Sequence, residues 1–276
     1  MTDNISAFCC PVCGGEMQKE EKTLRCCLGH CYDYAKSGYV NLLMSQQGRL
    51  HGDDRPMVRA RTAFLTAGYY RPLLEAVAEE VMPHLPKAPQ VFDAGCGEGW
   101  YTEELHTYLH KRGFRPQSVG VDISRDALTA AAKRNFDGEF AVASLYRVPL
   151  KDQWADLILN VFAPDCIEEF ARILKPDGIY VKVIPLEDHL LELKQAVYDS
   201  VYENEVKIPQ YDDFTLLSKL ELRYTLRLPD TETVKNLFSM TPYARKTSPK
   251  DVEKLESLNA LDTTASFAVL LYQRVL

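Results

Sequence analysis

The sequence predicts an α/β protein with a mostly parallel sheet, preceded by a small metal-binding module. Two observations predict this architecture. Six of the eight cysteines lie within the first 31 residues, and strand-like and helix-like segments alternate from Gln90 onward. Repeated β-α units favour a parallel sheet with helices on both faces. Clustered cysteines in a chain without a secretory signal favour metal binding over disulfides.

The 276 residues divide into three parts. Residues 1–35 form the metal-binding module, residues 36–85 a linker and helical region, and residues 86–276 the α/β domain. In the middle part, apolar spacing predicts helix over 58–81, interrupted near Gly68 and Pro72.

Within the third part, buried strands and amphipathic helices follow one another in short units. Helices are predicted over 99–112, 124–134 (with Ser124 as N-cap), 166–174, 188–204, 230–239 and 249–258. Strands are predicted over 90–95, 118–122, 139–144, 156–162 and 178–185. The extended segments 220–228 and 266–276 suit a closing antiparallel edge.

Composition excludes a membrane-spanning segment, because no run of about 18 apolar residues occurs. The N-terminus is acidic and short of apolar residues, unlike a signal peptide. A cytoplasmic location is therefore expected. The net charge of −7 is unusual for a nucleic-acid binder, which needs Lys and Arg for phosphates.

Arginines are nevertheless concentrated around the linker. Arg49, Arg55, Arg59 and Arg61 precede Arg71 within a short stretch. They indicate either a solvated helix face or a surface for an anionic partner such as RNA.

The spacing of four residues predicts a zinc site. Cys10 and Cys13 form a Cys-x₂-Cys knuckle, and Cys26 is followed at i+4 by His30. Three thiolates and one imidazole make a closed tetrahedral set, which is typical of structural zinc. So short a segment buries little apolar surface, and the metal replaces a core.

Three further cysteines leave the choice of ligands open. Cys9, Cys27 and Cys31 are neighbours of the proposed ligands. The two-residue gap favours Cys10 with Cys13 over Cys9, and a set of free thiols is the alternative to zinc.

A glycine-rich turn after the first predicted strand carries the strongest cofactor signal. Gly95, Gly97 and Gly99 let the backbone approach a ligand closely. A nicotinamide-binding fold can begin in the same way. The GxGxG spacing, Asp93 two residues earlier and Glu98 in the turn favour S-adenosylmethionine, because an acid suits its amino group and repels a pyrophosphate.

Two later strand ends supply further candidate contacts. Asp122 ends the second predicted strand and is placed to accept hydrogen bonds from both ribose hydroxyls. The alternative role of Asp122 is to cap the helix beginning at Ser124. Ser144 ends the third strand, where adenine should lie.

The acceptor of the methyl group is expected beside the fourth strand. Asn160, Phe162 and Pro164 there are similar, in part, to the Asn-Pro-Pro-Tyr motifs of amino-group methyltransferases. They are candidates for orienting the acceptor. A plain strand end is the alternative.

The whole chain resembles the RlmA-type 23S rRNA guanine-N1 methyltransferases. The resemblance is carried by Cys10-Pro-Val-Cys13, Cys26…His30, the run Tyr32–Leu43, Arg59–Leu65, Ala67–Tyr70, Asp93…Thr102, Phe162-Ala-Pro164 and His189–Lys194. It implies a class I S-adenosylmethionine-dependent fold with a seven-stranded sheet, one structural zinc, a 23S rRNA hairpin as partner and a homodimer.

The resemblance also implies cofactor contacts from Tyr70 and His189. Periodicity alone would place Tyr70 in the core and His189 at a helix N-terminus. The alternatives to an RNA methyltransferase are a small-molecule methyltransferase and a non-catalytic, zinc-containing RNA-binding protein. No residue stands out as a catalytic base, and the modified guanine is not identified by the sequence.

Overall fold

The computed structural model describes residues 4–44 and 52–275. Arg49 lies outside these residues. The N-terminal module is an antiparallel sheet of four short strands in sequence order, hereafter called the ribbon. Its strands are β1 (Ile5–Cys9), β2 (Glu16–Lys19), β3 (Thr23–Cys26) and β4 (Cys31–Asp33).

A second sheet has eight strands in the order β11-β12-β10-β9-β6-β7-β8-β5. They are β5 (Val40–Asn41), β6 (Gln90–Ala94), β7 (Gln117–Asp122), β8 (Gly138–Val142), β9 (Ala155–Val161), β10 (Leu174–Pro185), β11 (Phe214–Leu228) and β12 (Leu261–Arg274). Within the described residues, β12 is the one strand of this sheet whose direction is opposite to that of the other seven, so its pairings with β10 and β11 are antiparallel. The mostly parallel sheet and its antiparallel edge are thus confirmed.

The sheet has one strand more than the seven expected. Seven strands come from residues 86–276, and β5 from the linker adds an eighth by pairing parallel with β8. Only two residues take part, Val40 opposite Ala141 and Asn41 opposite Val142. A pairing this short leaves no periodicity in the sequence, because one alternation is too little to recognise.

Eight α-helices surround the sheet in the described part of the chain. They are α1 (Arg55–Thr66), α2 (Arg71–Val81), α3 (Trp100–Lys111), α4 (Arg125–Ala131), α5 (Ile167–Ile173), α6 (Leu191–Val197), α7 (Thr231–Ser239) and α8 (Pro249–Glu253). The predicted break near Gly68 separates α1 from α2. None of the described helices has the length and apolar character needed to cross a membrane.

The helix predicted over 188–204 is much shorter than expected. It ends at Val197, because the chain beyond it folds back. Asn204 donates a side-chain hydrogen bond to the Leu186 carbonyl (2.7 Å) and accepts one from Lys194 (2.7 Å). These tertiary contacts override a local preference for helix.

The ribbon packs against one face of the large sheet and shares its hydrophobic core. Phe8, Met17 and Leu24 are almost fully buried in the same cluster as Phe92 and Phe170 of the α/β domain. The backbone joins the two as well, because Cys9 N–H donates to the Pro149 carbonyl at 2.8 Å. The ribbon is therefore held by apolar contacts in addition to its metal ligands.

We predict that Phe8→Ala lowers the free energy of unfolding by about 3–5 kcal/mol, the usual cost of removing a buried aromatic ring. Leu28→Ala is the control, since Leu28 is 70% exposed in the same ribbon. Its effect should stay within about 0.5 kcal/mol. Urea denaturation of both zinc-loaded variants measures the difference, and equal midpoints would contradict a shared core.

Candidate active site and metal centre

The four predicted zinc ligands come together at one end of the ribbon. The ligand atoms of Cys10, Cys13, Cys26 and His30 all lie within 4.8 Å of one another. His30 Nδ1 is 3.5 Å from Cys10 Sγ and 3.3 Å from Cys26 Sγ. Bonds of about 2.0–2.3 Å to a tetrahedral zinc separate ligands by roughly these distances. The donor set therefore fits a closed structural zinc site.

The neighbouring cysteines lie outside this group. Cys9 is buried, and burial raises the pKa of its thiol, whereas Cys27 and Cys31 are exposed. Burial opposes ionisation of Cys10 too, but hydrogen bonds from Tyr32 and the backbone outweigh it and lower its pKa to about 6. Geometry thus favours the set with the two-residue gap, and Cys10 is disposed to be a thiolate.

The glycine turn connects β6 to α3 and is crowded from two sides. Gly95, Gly97 and Gly99 all have positive φ angles. A Cβ on Gly95 would lie 2.6 Å from the Cβ of Ala163, and one on Gly99 would lie 2.9 Å from that of Ala131. Glycine is required here because β9's loop and α4 approach the backbone so closely.

A cavity of about 1070 Å³ opens over this turn. Nine of the residues predicted to contact the cofactor or the acceptor line it, namely Tyr70, Gly95, Gly97, Glu98, Asp122, Ser144, Phe162, Pro164 and His189. Sequence reasoning missed others that also line it, among them Asp53, Tyr101, Lys182, Lys194, Arg245 and Lys246. Tyr101 and Lys194 lie in segments that carry the resemblance, close to residues that were predicted. Asp53, Lys182, Arg245 and Lys246 lie on distant segments without a recognisable motif, and only the fold brings them to the cavity.

Asp93 lies behind the turn and is absent from the cavity wall. Its carboxyl group is 3% exposed and accepts a hydrogen bond from Thr102 Oγ1 at 2.5 Å. Burial, with the nearby charges of Asp122 and Glu98, raises its pKa to about 7. Asp93 is therefore buried beneath the turn, and its action on a cationic group of the cofactor stays a prediction.

Asp122 has its carboxylate at the cavity wall. It accepts hydrogen bonds from the N–H groups of Gly97 (2.9 Å) and Ser124 (2.7 Å). The cap of α4 is Ser124 itself, whose Oγ accepts from Ala127 N–H at 3.1 Å. Because Ser124 caps α4, Asp122 is not needed for that role. Its place at the cavity wall is compatible with binding ribose hydroxyls.

Glu98 is paired within the protein. Arg134 forms a salt bridge to its carboxylate, donates to its carbonyl at 2.7 Å and also binds Glu103. The charge of Glu98 is therefore compensated, and its repulsion of a pyrophosphate is weaker than the sequence suggested.

The arginines predicted to bind RNA lie in different settings. Arg61 belongs to the cavity: it pairs with Asp53, and its Nη1 lies 3.4 Å from a Cβ placed on Gly97. Arg55 is on the surface, 3.1 Å from Asp126, and Arg59 is exposed. RNA binding by Arg55, Arg59 and Arg61 stays a prediction.

The candidate acceptor loop follows β9 and is shaped by Asn160. This side chain is fully buried, accepts from Ala163 N–H (3.1 Å) and donates to the Pro164 carbonyl (3.1 Å). Phe162 has a φ of 62° and remains 47% exposed. A non-glycine residue in this conformation is strained, which is common at functional sites. Asn160 thus holds the loop, and Phe162 faces the cavity.

Tyr70 and His189 combine packing with a place on the cavity wall. Both pack against Phe267, with ring centroids 5.2 and 4.5 Å away. His189 Nδ1 accepts from Ser266 N–H at 3.2 Å, and burial lowers the pKa of its imidazole to about 3. His189 is therefore neutral at physiological pH. Ser144 is also occupied, accepting from Tyr146 N–H at 3.2 Å.

Comparison with known proteins agrees with both parts of the chain. Residues 8–49 match the zinc-ribbon family described as RlmA, N-terminal, and residues 92–181 match the Methyltransferase domain family. The 23S rRNA (guanine(748)-N(1))-methyltransferase of Streptomyces fradiae is 32% identical over 94% of this chain and 95% of its own. The chain belongs to the 23S rRNA (guanine-N1)-methyltransferase family.

Other members of this family align over similar lengths. The Bacillus subtilis protein YxjB, named for the same guanine-N1 reaction, is 33% identical over 98% of both chains. A relative from Micromonospora griseorubida is 32% identical over 87% of both. The fold is therefore that of an S-adenosylmethionine-dependent methyltransferase, and the N-terminal module is a zinc ribbon with one structural metal site.

We predict that Cys13→Ser reduces bound zinc from one ion per chain to far below one, because a tetrahedral site loses a thiolate. Cys27→Ser is the matched control, since Cys27 is an exposed thiol outside the cluster. Mass spectrometry of the metal content measures the zinc bound per chain in both variants. Retention of zinc by Cys13→Ser, or its loss from Cys27→Ser, would contradict the ligand assignment.

We predict that Gly95→Ala weakens S-adenosylmethionine binding by about tenfold or more, which is about 1.4 kcal/mol. The added methyl would displace the acceptor loop at Ala163. Gly113→Ala is the control, because Gly113 has a similar φ of 82° but open space around it. The Gly113→Ala variant should lose only about 1–2 kcal/mol of its free energy of unfolding. Calorimetric titration measures the affinity of each variant for S-adenosylmethionine. Equal affinities for Gly95→Ala and Gly113→Ala would contradict the steric explanation.

Proposed function

We propose that this protein transfers a methyl group from S-adenosylmethionine to N1 of a guanine in a 23S rRNA hairpin. The observation that carries the proposal is one cavity with two different sides. The glycine turn and Asp122 form one side, and the loop containing Phe162 forms the other. A cavity of about 1070 Å³ has room for a cofactor and a nucleotide together.

The charges around the cavity support an anionic acceptor. Its acidic lining residues, within the described chain, are Asp53, Glu98 and Asp122 near the glycine turn. Its cationic lining residues are more numerous, namely Arg61, Lys182, Lys194, Arg245 and Lys246. Arg61 and Arg245 lie beside Asp53, whereas Lys182 lies next to the acceptor loop. In a protein of net charge −7, this local excess favours a phosphate-bearing substrate over a neutral metabolite.

Two exposed aromatic rings support a base that leaves its helix. N1 lies on the Watson–Crick edge, so the guanine has to be unpaired before transfer. Phe162 and Tyr146 line the cavity with 47% and 71% of their surface exposed. Such rings are suitable platforms for stacking an extruded base.

The cofactor supplies a methyl group activated by a cationic sulfonium. The chain would bind its ribose through Asp122, hold the acceptor loop through Asn160 and exclude water with Tyr70 and Phe162. In this arrangement, positioning provides much of the rate acceleration.

The ribbon would extend the RNA surface beyond the cavity. Arg147 donates to the Pro11 carbonyl of the zinc knuckle at 3.3 Å, and its neighbour Tyr146 lines the cavity. An RNA hairpin bound to the ribbon would therefore reach the acceptor loop. The division at 1–35, 36–85 and 86–276, a homodimer and a cytoplasmic location remain predictions that belong to this proposal.

Primer extension on 23S rRNA tests the function directly. A strain lacking the gene should lose one reverse-transcriptase stop, because N1-methylguanine blocks base pairing. The purified protein with labelled S-adenosylmethionine should methylate RNA from that strain and leave wild-type RNA unlabelled.

Two outcomes would replace this proposal. Label found in a small-molecule extract, with none in RNA, would favour a metabolite methyltransferase. RNA binding without any affinity for S-adenosylmethionine would indicate a non-catalytic RNA-binding protein.

A further inference from the structure

Lys182 has a position that suits it to act on the acceptor. It lies on β10 as the register partner of Asn160, whose amide holds the acceptor loop. Its register partner on the other side, in β12, is the apolar Leu270. The side chain lines the cavity yet is only 12% exposed.

Asp165 fixes the direction of this ammonium group. Its carboxylate pairs with Lys182 and accepts hydrogen bonds from the hydroxyls of Tyr180 (2.8 Å) and Tyr211 (2.7 Å). Burial opposes ionisation of Asp165, but these partners outweigh it and lower its pKa. The carboxylate therefore stays charged and holds the ammonium group of Lys182 in place.

The proposed reaction needs negative charge on the guanine to be stabilised. N1 carries a proton in the neutral base, and removing it leaves an anion with charge shared between N1 and O6. The lining carboxylates are already engaged, Asp53 with Arg61, Glu98 with Arg134, and Asp122 with two N–H groups. His189 offers no basic nitrogen, because Nδ1 already accepts from Ser266.

The other cations that line the cavity are placed differently. Lys194 donates to Asn204 at 2.7 Å, and Arg245 donates to the Gly52 carbonyl at 3.1 Å. Arg61 also has a carboxylate partner, Asp53, but that pair lies over the glycine turn. Lys182 is distinguished from these cations by combining a carboxylate partner with a register position opposite Asn160, which holds the acceptor loop.

We propose that Lys182 is a catalytic residue whose ammonium group binds O6 of the target guanine and stabilises its N1-deprotonated form, and that Asp165 is the residue that positions it. The N1 proton leaves to water, and the N1 electron pair then bonds to the methyl carbon. The carbon–sulfur bond breaks with its electron pair remaining on sulfur, so the products are neutral methylguanine and a thioether. This inference rests on the proposed function.

Single-turnover methyl transfer at saturating RNA, measured across pH, tests the role of Lys182. Lys182→Met should be about 100-fold slower at neutral pH, as for loss of one preorganised donor. Its apparent pKa for the rate should rise by about two units, the shift that corresponds to 100-fold. Affinity for S-adenosylhomocysteine, measured by calorimetry, should be unchanged.

The same strands offer a matched control. Lys175 of β10 pairs with Asp156 of β9 at 2.8 Å, outside the cavity lining. Lys175→Met removes an equivalent Lys–Asp pair, yet it should keep the wild-type pH profile. Asp165→Asn should slow transfer in the wild-type background and add nothing to Lys182→Met, because Asp165 acts through Lys182.

A second readout needs no methyl transfer. RNA carrying 6-thioguanosine at the target position changes its absorbance when the base loses its N1 proton. Bound to the wild-type protein without cofactor, it should ionise at lower pH than when bound to Lys182→Met. If Lys182→Met does not fold, Lys182→Gln provides the same comparisons.

Three results separate the possibilities. A Lys182 variant that keeps the wild-type rate and pH profile would overturn this inference and leave the proposed function in place. The same holds if Lys175→Met slows methyl transfer as much as Lys182→Met does. A wild-type protein that methylates no guanine N1 would overturn the proposed function as well.

Discussion

The active site depends on the close approach of three backbone segments at one turn. Gly95 meets the loop after β9, and Gly99 meets α4, at separations that leave no room for a side chain. This contact fixes the position of the loop after β9 relative to the cofactor side of the cavity. Asp122, Phe162 and Lys182 are placed by strands that converge on the same point. Their common position is thus a consequence of backbone packing.

Much of the fold was predictable, because strands buried on both faces and amphipathic helices leave strong patterns. The mostly parallel sheet and its antiparallel edge follow from those patterns. The eighth strand and the early end of α6 were not predictable. Val40–Asn41 is too short for a pattern, and α6 ends because Asn204 folds back onto it.

The candidate site was predictable where its residues lie in compact motifs. The zinc ligands and the glycine turn depend on spacing within a few residues, which the sequence displays directly. Partners distant in sequence were hidden. Arg134 neutralises Glu98, Asp53 holds Arg61 in the cavity, and Arg245 reaches Gly52 from the far end of the chain. Charge counting along the chain therefore identified arginines without revealing their neighbours.

The pairing of β5 with β8 has a consequence for behaviour in concentrated solution. An uncovered edge strand presents free N–H and C=O groups to any other chain, and it is a common starting point of aggregation. Val40 and Asn41, which follow the ribbon directly, occupy that edge of the sheet. Chelation of the zinc would loosen the ribbon and this short strand with it. Metal loss would then reduce solubility by exposing the edge of β8 at Ala141 and Val142.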